Sequence, residues 1–376
     1  MLWFWLGWEA WLMARGITLN LQPAPNADPR YKTWSVTPHA TPGPASLPYA
    51  YCMPAEVSSL TEIGRIPWAR LAWGQDSAHR DVALKLVNTD TDEYQIYCRL
   101  LESAEECSLS SCCGVLRPVA ILDTPHNFAF VVMPRWGGLH WMSNLSTIAQ
   151  VMQFMRCTSN DIHQSNMLLN CYSPDAQYST QAEHIADAHR RTGDAHYCLM
   201  DFNMSLCAPL DTALDSYRRP SEESLIGAPS YHPPDISLGE PFYNPFAHDV
   251  ACLGNMYRVF FTCLVSQVPL LAPLFDQMTT HIIPHRFTAL EAANFIEYVY
   301  AGLSDTTLNS PVTIVSEWDS CTNTDLYWSQ TPPEFAAQWF AYRTPKRTWT
   351  ARFLDWFGDV PTGWSILTFM RRTLRI

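Results

Sequence analysis

Lysine, paired cysteines and glycine-rich loops are scarce in this chain of 376 residues. Only three of its 24 basic residues are lysines, at positions 32, 85 and 346. The formal net charge of −12 argues against nucleic acid or an anionic membrane as the main partner. The twelve cysteines include no Cys-x-x-Cys pair. We therefore expect no zinc or redox motif of that kind, but reduced, mostly buried thiols of an intracellular, cytoplasmic protein.

Apolar runs long enough to cross a membrane are also missing. The apolar N-terminus, residues 2–8, is followed by Glu9 and Arg15, which keep it below the ~20 residues that a spanning helix needs. A signal peptide is not expected, because no basic segment leads and no clear cleavage site follows. The segment fits either an aromatic helix packed on the domain or an interfacial anchor. Residues 20–60 are rich in Pro, Ser and Ala and predict an extended linker.

The most informative stretch is Asp-Ile-His-Gln-Ser-Asn at residues 161–166, followed by the apolar run 167–169. A tight loop before a short strand would bring Asp161 and Asn166 into one small volume. The carboxylate can accept a proton from a hydroxyl, and the amide oxygen can bind a divalent cation, as phosphoryl transfer requires. Taken alone, the pattern also fits a polar turn, so its meaning depends on groups elsewhere in the chain.

Upstream, a lysine lies inside the apolar, strand-like run 81–87. A strand lysine is more often solvated at a sheet edge, but this chain otherwise uses arginine, and a compact ammonium at Lys85 suits phosphate oxygens. The next segment has apolar residues at helical spacing, at positions 94, 97, 100 and 101. Glu93 at the start of this predicted helix is expected to pair with Lys85. The alternative is a first-turn acid favoured by the helix dipole.

Downstream, residues 197–200 predict a short strand that ends in Asp201. This carboxylate is a candidate second ligand for a cation that bridges phosphates; taken alone, it also fits a turn residue. The long polar stretch 171–196 predicts a loop insertion. Its histidines lack a clear set of partner ligands and are expected to be solvated.

In this order, the groups resemble a eukaryotic protein kinase domain of the divergent kind found in expanded families of mushroom-forming fungi. The resemblance covers roughly residues 63–303. Its motifs are the strand lysine motif 82–85, the strand entering the hinge 130–134, the catalytic loop 161–166, the metal motif 201–203, the end of the activation segment 231–235, the start of a large buried helix 249–254, and a late helix start 286–292.

The resemblance implies an α+β, two-lobed, protein-kinase-like fold with a small β-rich N-lobe and a larger helical C-lobe. An N-terminal extension and linker would occupy residues 1–62, the N-lobe 63–133, the C-lobe 134–303 and a tail 304–376. A composition with 47% apolar residues is sufficient for one such core. The tail ends in an apolar face followed by basic residues. We expect a helix docked on the C-lobe there, with membrane-surface binding as the less expected alternative.

The resemblance also implies transfer of the γ-phosphate of ATP, with Mg²⁺, to a Ser or Thr hydroxyl of a protein substrate. By this resemblance, the catalytic groups would be Asp161, Lys85 and Glu93. The Mg²⁺ ligands would be Asn166 and Asp201. The adenine pocket would be bordered by Met133, Pro134 and Arg135.

Departures from the family pattern favour an alternative, a pseudokinase that acts as a binding or scaffolding module for a partner protein. Residues 64–74 have glycine only at their two ends, which predicts a weaker backbone grip on phosphate. Ser159 and Asn160 replace the usual His-Arg before Asp161, and residues 152–160 are few for a long helix and a turn. A third reading is a small-molecule phosphotransferase of the aminoglycoside-kinase kind, but its usual His before the Asp is missing.

Two further replacements are expected to be mild. Asn203 replaces the glycine of the metal motif, and asparagine tolerates the left-handed backbone region better than other residues do. Asp235 replaces a glutamate at the end of the activation segment and is expected to pair with Arg286.

Overall fold

The structure, a computed structural model, describes residues 2–23, 32–34, 47–52, 70–103, 114–138, 145–158, 166–172, 180–209, 211–224, 231–358, 360 and 362–374. Asp161 of the predicted catalytic loop lies outside these residues. The described chain is α+β, with a small antiparallel sheet and many helices, which confirms the general fold class. It divides into two units, residues 1–140 with 164–207 and residues 141–163 with 208–376. The predicted lobe boundaries at 62, 133 and 303 stay a prediction.

Short strands and helices alternate along the chain. The strands are β1 (Thr18–Leu19), β2 (Leu21–Pro23), β3 (Lys32–Trp34), β4 (Tyr51–Cys52), β5 (Leu71–Gln75), β6 (Asp81–Asn88), β7 (Ala120–Asp123), β8 (Phe128–Pro134), β9 (Gly137–Gly138), β10 (Met167–Leu169), β11 (Cys171–Tyr172), β12 (Tyr197–Leu199), β13 (Arg219–Pro220) and β14 (Phe242–Tyr243). The α-helices are α1 (Leu2–Met13), α2 (Asp92–Glu102), α3 (Ile148–Thr158), α4 (Thr180–Arg191), α5 (Ser221–Ser224), α6 (Pro245–Phe261), α7 (Leu271–Thr279), α8 (Ala289–Ala301), α9 (Asp305–Leu308), α10 (Asp325–Trp328), α11 (Pro333–Gln338), α12 (Trp349–Gly358) and α13 (Gly363–Leu374).

A five-stranded antiparallel sheet, in the order β1-β5-β6-β8-β7, organises the first unit. Side chains alternate between its two faces because successive strand residues point in opposite directions. One face, including Val82 and Leu84, packs with Trp5 and Leu12 of α1. Of the two alternatives for the N-terminus, the aromatic helix packed on the domain is therefore confirmed. The opposite face, which includes Lys85, is the face of the candidate site.

Helix α2 connects β6 to β7, and the residues at its two ends favour a helix with these bounds. The Thr91 hydroxyl accepts a hydrogen bond from the Tyr94 backbone N–H at 3.4 Å and caps the helix. Acidic residues occupy the first turn and Arg99 the last, as the helix dipole favours. The predicted helix is confirmed, and it places Glu93 one turn before buried Tyr97.

Two predictions about connecting segments are wrong. The predicted loop at 171–196 contains α4, whose Ala, Gln, Glu and Arg residues have high helix propensity although its apolar stripe is weak. His189 on this helix shares a 3.0 Å hydrogen bond with the Asn170 side chain, which ties α4 to the strand region. The predicted linker at 20–60 also contributes strands, because β4 pairs with β11 in parallel.

The second unit is built around α6, which is buried along most of its length, as the resemblance implies. Arg286 donates two hydrogen bonds to the Asp235 carboxylate, at 2.7 and 2.6 Å, and both side chains are buried. The expected pair is therefore confirmed. Thr288 and Glu291 form a capping box that starts α8.

The cysteines and the apolar segments agree with parts of the sequence analysis. Eight of the described cysteines are thiols outside any disulfide bond, and four of these are buried. In the described ranges, no helix combines the length and the apolar character that a bilayer crossing requires. The tail ends in helix α13, as expected.

Candidate functional site

Lys85 lies in the middle of the sheet rather than at an edge. Its strand, β6, is hydrogen-bonded on both sides, and Lys85 pairs in register with Leu71 of β5 and Val131 of β8. Only 9% of its side chain is exposed. The alternative of a solvated edge lysine is therefore wrong, and the cost of burying the ammonium has to be offset by partners.

Two carboxylates supply that compensation. The Lys85 Nζ donates hydrogen bonds to Glu93 Oε1 on α2 and to Asp201 Oδ1, which follows β12. The Glu93 side chain is 6% exposed, whereas that of Asp201 is 33% exposed. The expected pairing of Lys85 with Glu93 is thus confirmed. One ammonium thus contacts two carboxyl groups, and Asp201 is the more exposed of the two.

An aromatic pair closes the inner side of this cluster. The Tyr97 ring centroid lies 6.0 Å from Lys85 Nζ and packs edge-on against Phe202, with 5.3 Å between ring centroids. Burial raises the pKa of Tyr97 well above its ordinary value, and the nearby carboxylates of Glu93 and Asp201 raise it further. The Tyr97 hydroxyl therefore stays protonated, and the ion pairs lie beside a region of low polarity.

Asp201 has an unusual backbone. Its φ is +72°, in the left-handed region that few residues other than glycine adopt, although Asp and Asn do so more often than most. We expected that conformation to concern Asn203, the replacement for glycine, but the structure places it two residues earlier. Such conformations cost free energy, so they persist only where the surrounding structure holds them in place. They are concentrated at functional sites.

Asn166 lies at the same end of a short strand pair as Asp201. Strands β10 and β12 pair antiparallel, with Met167 opposite Leu199, and the Met200 N–H donates to the Asn166 carbonyl at 2.8 Å. The two predicted metal ligands therefore flank one strand end. Because Asp161 lies outside the described residues, its approach to this end stays a prediction.

Carboxylate and amide oxygens are the ligands that Mg²⁺ prefers, so the donor chemistry of Asp201 and Asn166 fits the expected cation. Partial exposure of the Asp201 side chain leaves it accessible to an ion and its water ligands. In the part of the chain that the structure describes, no group of three or more His, Cys, Asp and Glu side chains is placed to hold a metal ion.

The predicted adenine border contains a contact that the sequence analysis missed. Arg135 is buried, and its guanidinium carbon lies 4.6 Å from the Trp73 ring centroid and 4.8 Å from that of Tyr172. Tyr172 in turn donates a hydrogen bond to Asp81 at 2.5 Å. No local pattern signals this stack, because its members come from three separate strand regions.

The stack lies on the side of the sheet that holds Lys85. Trp73, Ala83 and Met133 are cross-strand partners in register, so their side chains share the Lys85 face. Ala83 and Met133 are both buried. An adenine base could therefore contact Ala83 and Met133 only if the side chains around these two residues moved.

Gly74, one of the two glycines at the ends of residues 64–74, has a structural role. A Cβ at this position would lie 2.8 Å from the Thr18 carbonyl oxygen and 3.3 Å from Leu84 Cδ1. The glycine therefore permits the close approach of β1 to β5.

Comparison of the chain with known proteins found no match, either to a family model or to a curated protein.

Proposed function

We propose that the chain is a protein-kinase-like phosphotransferase that moves the γ-phosphate of ATP to a Ser or Thr hydroxyl of a protein. The observation that carries this proposal is the buried Lys85, held between Glu93 and Asp201. In protein kinases a strand lysine paired with a helix glutamate orients the phosphates, and an aspartate binds the metal. The order lysine, glutamate, aspartate along the chain matches that arrangement.

The roles of the residues follow from their charges. Lys85, fixed by Glu93, would face phosphate oxygens, and at about 4 Å and an effective dielectric constant of about 20 each such pair is worth ~4 kcal/mol before desolvation. Asp201 would exchange its contact with Lys85 for a metal ion shared with Asn166. Bound Mg²⁺ would offset the charge of the phosphates. Asp161 would accept or orient the substrate hydroxyl, so that most of the acceleration comes from positioning and charge neutralisation.

The second unit supports the same proposal independently. The Arg286–Asp235 pair joins the predicted end of the activation segment to the segment before α8. Arg286 also donates to the carbonyl oxygens of Ala247, on α6, and Thr280. With its donors satisfied in this way, the arginine is a fixed structural anchor, as the resemblance implies.

The test is ADP formation from Mg·ATP by the purified chain in the presence of a generic protein substrate. Asp161→Ala should lower the rate roughly 10²–10⁴-fold, the range for loss of a general base. Asp305→Ala, at an exposed acid in the first turn of α9, is the matched control and should leave the rate unchanged. Equal rates for the wild type and Asp161→Ala would refute the assignment.

A second candidate, a pseudokinase that binds a partner protein, is favoured by the stack of Trp73, Arg135 and Tyr172. This stack lies on the sheet face that an adenine would contact, where Ala83 and Met133 are already buried, and Gly74 permits close strand packing. Thermal shift with Mg·ATP separates the two candidates, because a ligand at about 100 times its Kd stabilises a protein by ~2.7 kcal/mol. A shift in the wild type favours the phosphotransferase. A shift that occurs only in Trp73→Val favours the binding module.

A further inference from the structure

The outer face of α12 is apolar and exposed. Trp349, Phe353 and Trp356 lie at helical spacing on one side of this ten-residue helix, and they are 79%, 53% and 62% exposed. The Phe353 and Trp356 rings contact each other, with 5.7 Å between their centroids. Three large aromatic side chains on one exposed face form a surface that usually indicates an interaction site.

The outer face of α13 continues this character. Ile366, Phe369, Met370 and Leu374 share one side of the helix by their spacing, and all four are exposed. The basic residues of its last turn follow the same stretch. We call the seven apolar residues of the two helices the tail surface.

Other side chains of both helices bond to the segment 236–238. The Trp364 indole N–H donates to the Ile236 carbonyl at 3.0 Å, and Arg371 Nε donates to the Leu238 carbonyl at 2.7 Å. On α12, Asp355 accepts a hydrogen bond from the Ser237 hydroxyl. Both helices therefore dock on one short segment, and their exposed apolar residues are not part of that packing.

The segment that carries the tail surface is basic, although acids from other segments offset part of its charge. Residues 343–376 contain seven basic and two acidic residues, a net charge of +5, whereas the preceding residues carry −17. Asp325 pairs with Arg343 and Lys346, Glu240 with Arg371 and Glu222 with Arg372, and these three acids reduce the local net charge from +5 to +2. Arg352, on α12 beside the aromatic face, is exposed. Because the Debye length is about 8 Å at physiological ionic strength, a surface in contact with the tail responds to this local charge and not to the chain's total of −12.

We propose that the tail surface binds an anionic phospholipid membrane. Tryptophan and phenylalanine beside arginine and lysine are the composition of helices that lie in the membrane interface, with the rings at the depth of the headgroups. Basic residues add attraction to acidic lipids. A second copy of the chain is a poorer occupant, because a two-fold contact would bring together two surfaces with the same positive net charge.

The test is co-sedimentation of the full chain with vesicles of phosphatidylcholine, alone or with about one-third phosphatidylserine. Binding should increase roughly tenfold or more with the acidic lipid and should fall in about 0.5 M NaCl. The variant in which Trp349, Phe353 and Trp356 are all serine should lose roughly tenfold or more of the binding. Trp349→Ser alone, at the most exposed ring, should lose part of it and guards against misfolding of the triple variant.

Phe340→Ser is the matched control, since Phe340 is 70% exposed on another segment of the same unit. It should bind vesicles like the wild type. Equal binding by the triple variant and the wild type would overturn the proposal, as would the absence of binding to acidic vesicles. A dimer in solution that the triple variant abolishes, without vesicle binding, would also overturn it and would assign the surface to a second copy.

Discussion

Replacement of Lys85 by methionine tests the geometry of the candidate site without reference to activity. Methionine fills nearly the same volume and has no charge. The change would leave the Glu93 carboxylate, 6% exposed, without its cation in the sheet interior. Removing one partner of a buried ion pair costs about 3–5 kcal/mol, because the remaining charge stays buried and unpaired.

The contribution of Asp201 to this cost should be small, since its side chain is one-third exposed and water screens its charge. We therefore expect Lys85→Met to lower the free energy of unfolding by about 3–4 kcal/mol. Adding Glu93→Gln removes the stranded charge, and the double variant should recover about 2 kcal/mol of that loss. Lys346→Met is the control: Lys346 is 83% exposed, and its pair with Asp325 is worth at most about 1 kcal/mol.

The assay is urea unfolding followed by circular dichroism for the wild type, the three single variants and the double variant. Unchanged denaturant slopes would show that only stability has changed. Equal losses of stability in Lys85→Met and Lys346→Met would contradict a buried ion pair at Lys85. Simple addition of the Lys85→Met and Glu93→Gln effects would contradict it as well, because groups in direct contact should be coupled.

Two further predictions concern buried groups of the second unit. Burial lowers the pKa of His248 from 6.5 to about 4, so between these values the unfolded chain binds a proton that the folded chain does not. The free energy of unfolding therefore contains a contribution from neutral His248 that is fully present above pH 6.5 and falls by up to ~3 kcal/mol as the pH falls to 4. We expect His248→Gln to flatten this part of the pH profile measured by urea unfolding. Asp276→Ala should cost about 2–4 kcal/mol, because the Tyr327 hydroxyl and the Trp328 indole, each 2.6 Å from the carboxylate, lose their acceptor. In calorimetry Asp305→Ala should show almost no loss, and a similarly small loss for Asp276→Ala would contradict the argument.

The strand and helix of the site could be predicted because their signals are local. An apolar run around Lys85 indicated a buried strand, and apolar spacing indicated the helix that starts beside Glu93. The two residues are eight positions apart, so one strand, one turn and one helix bring them together. Asp201 was predictable as the end of a strand, but its left-handed backbone was not, since a single aspartate carries no signal for its φ angle.

The stack around Arg135 could not be predicted, because it depends on register and on distant connections. Trp73 reaches the Lys85 face through its pairing with Ala83 in β5 and β6. Tyr172 arrives from a strand that follows almost a hundred residues later. Hydrophobic periodicity reports which residues are buried, but it does not report that two rings enclose a cation. In contrast, α4 could have been predicted from the helix propensity of its residues alone.

The scarcity of lysine allows a direct test for a nucleotide site at Lys85. An acyl-phosphate derivative of ATP transfers its label to a lysine that lies beside the bound phosphates, and mass spectrometry can distinguish all three lysines of this chain. The proposed phosphotransferase predicts labelling of Lys85, but not of exposed Lys346, and predicts that unmodified ATP with Mg²⁺ suppresses the label. Labelling that favours Lys346, or labelling of Lys85 that ATP does not compete away, would contradict a nucleotide site at Lys85.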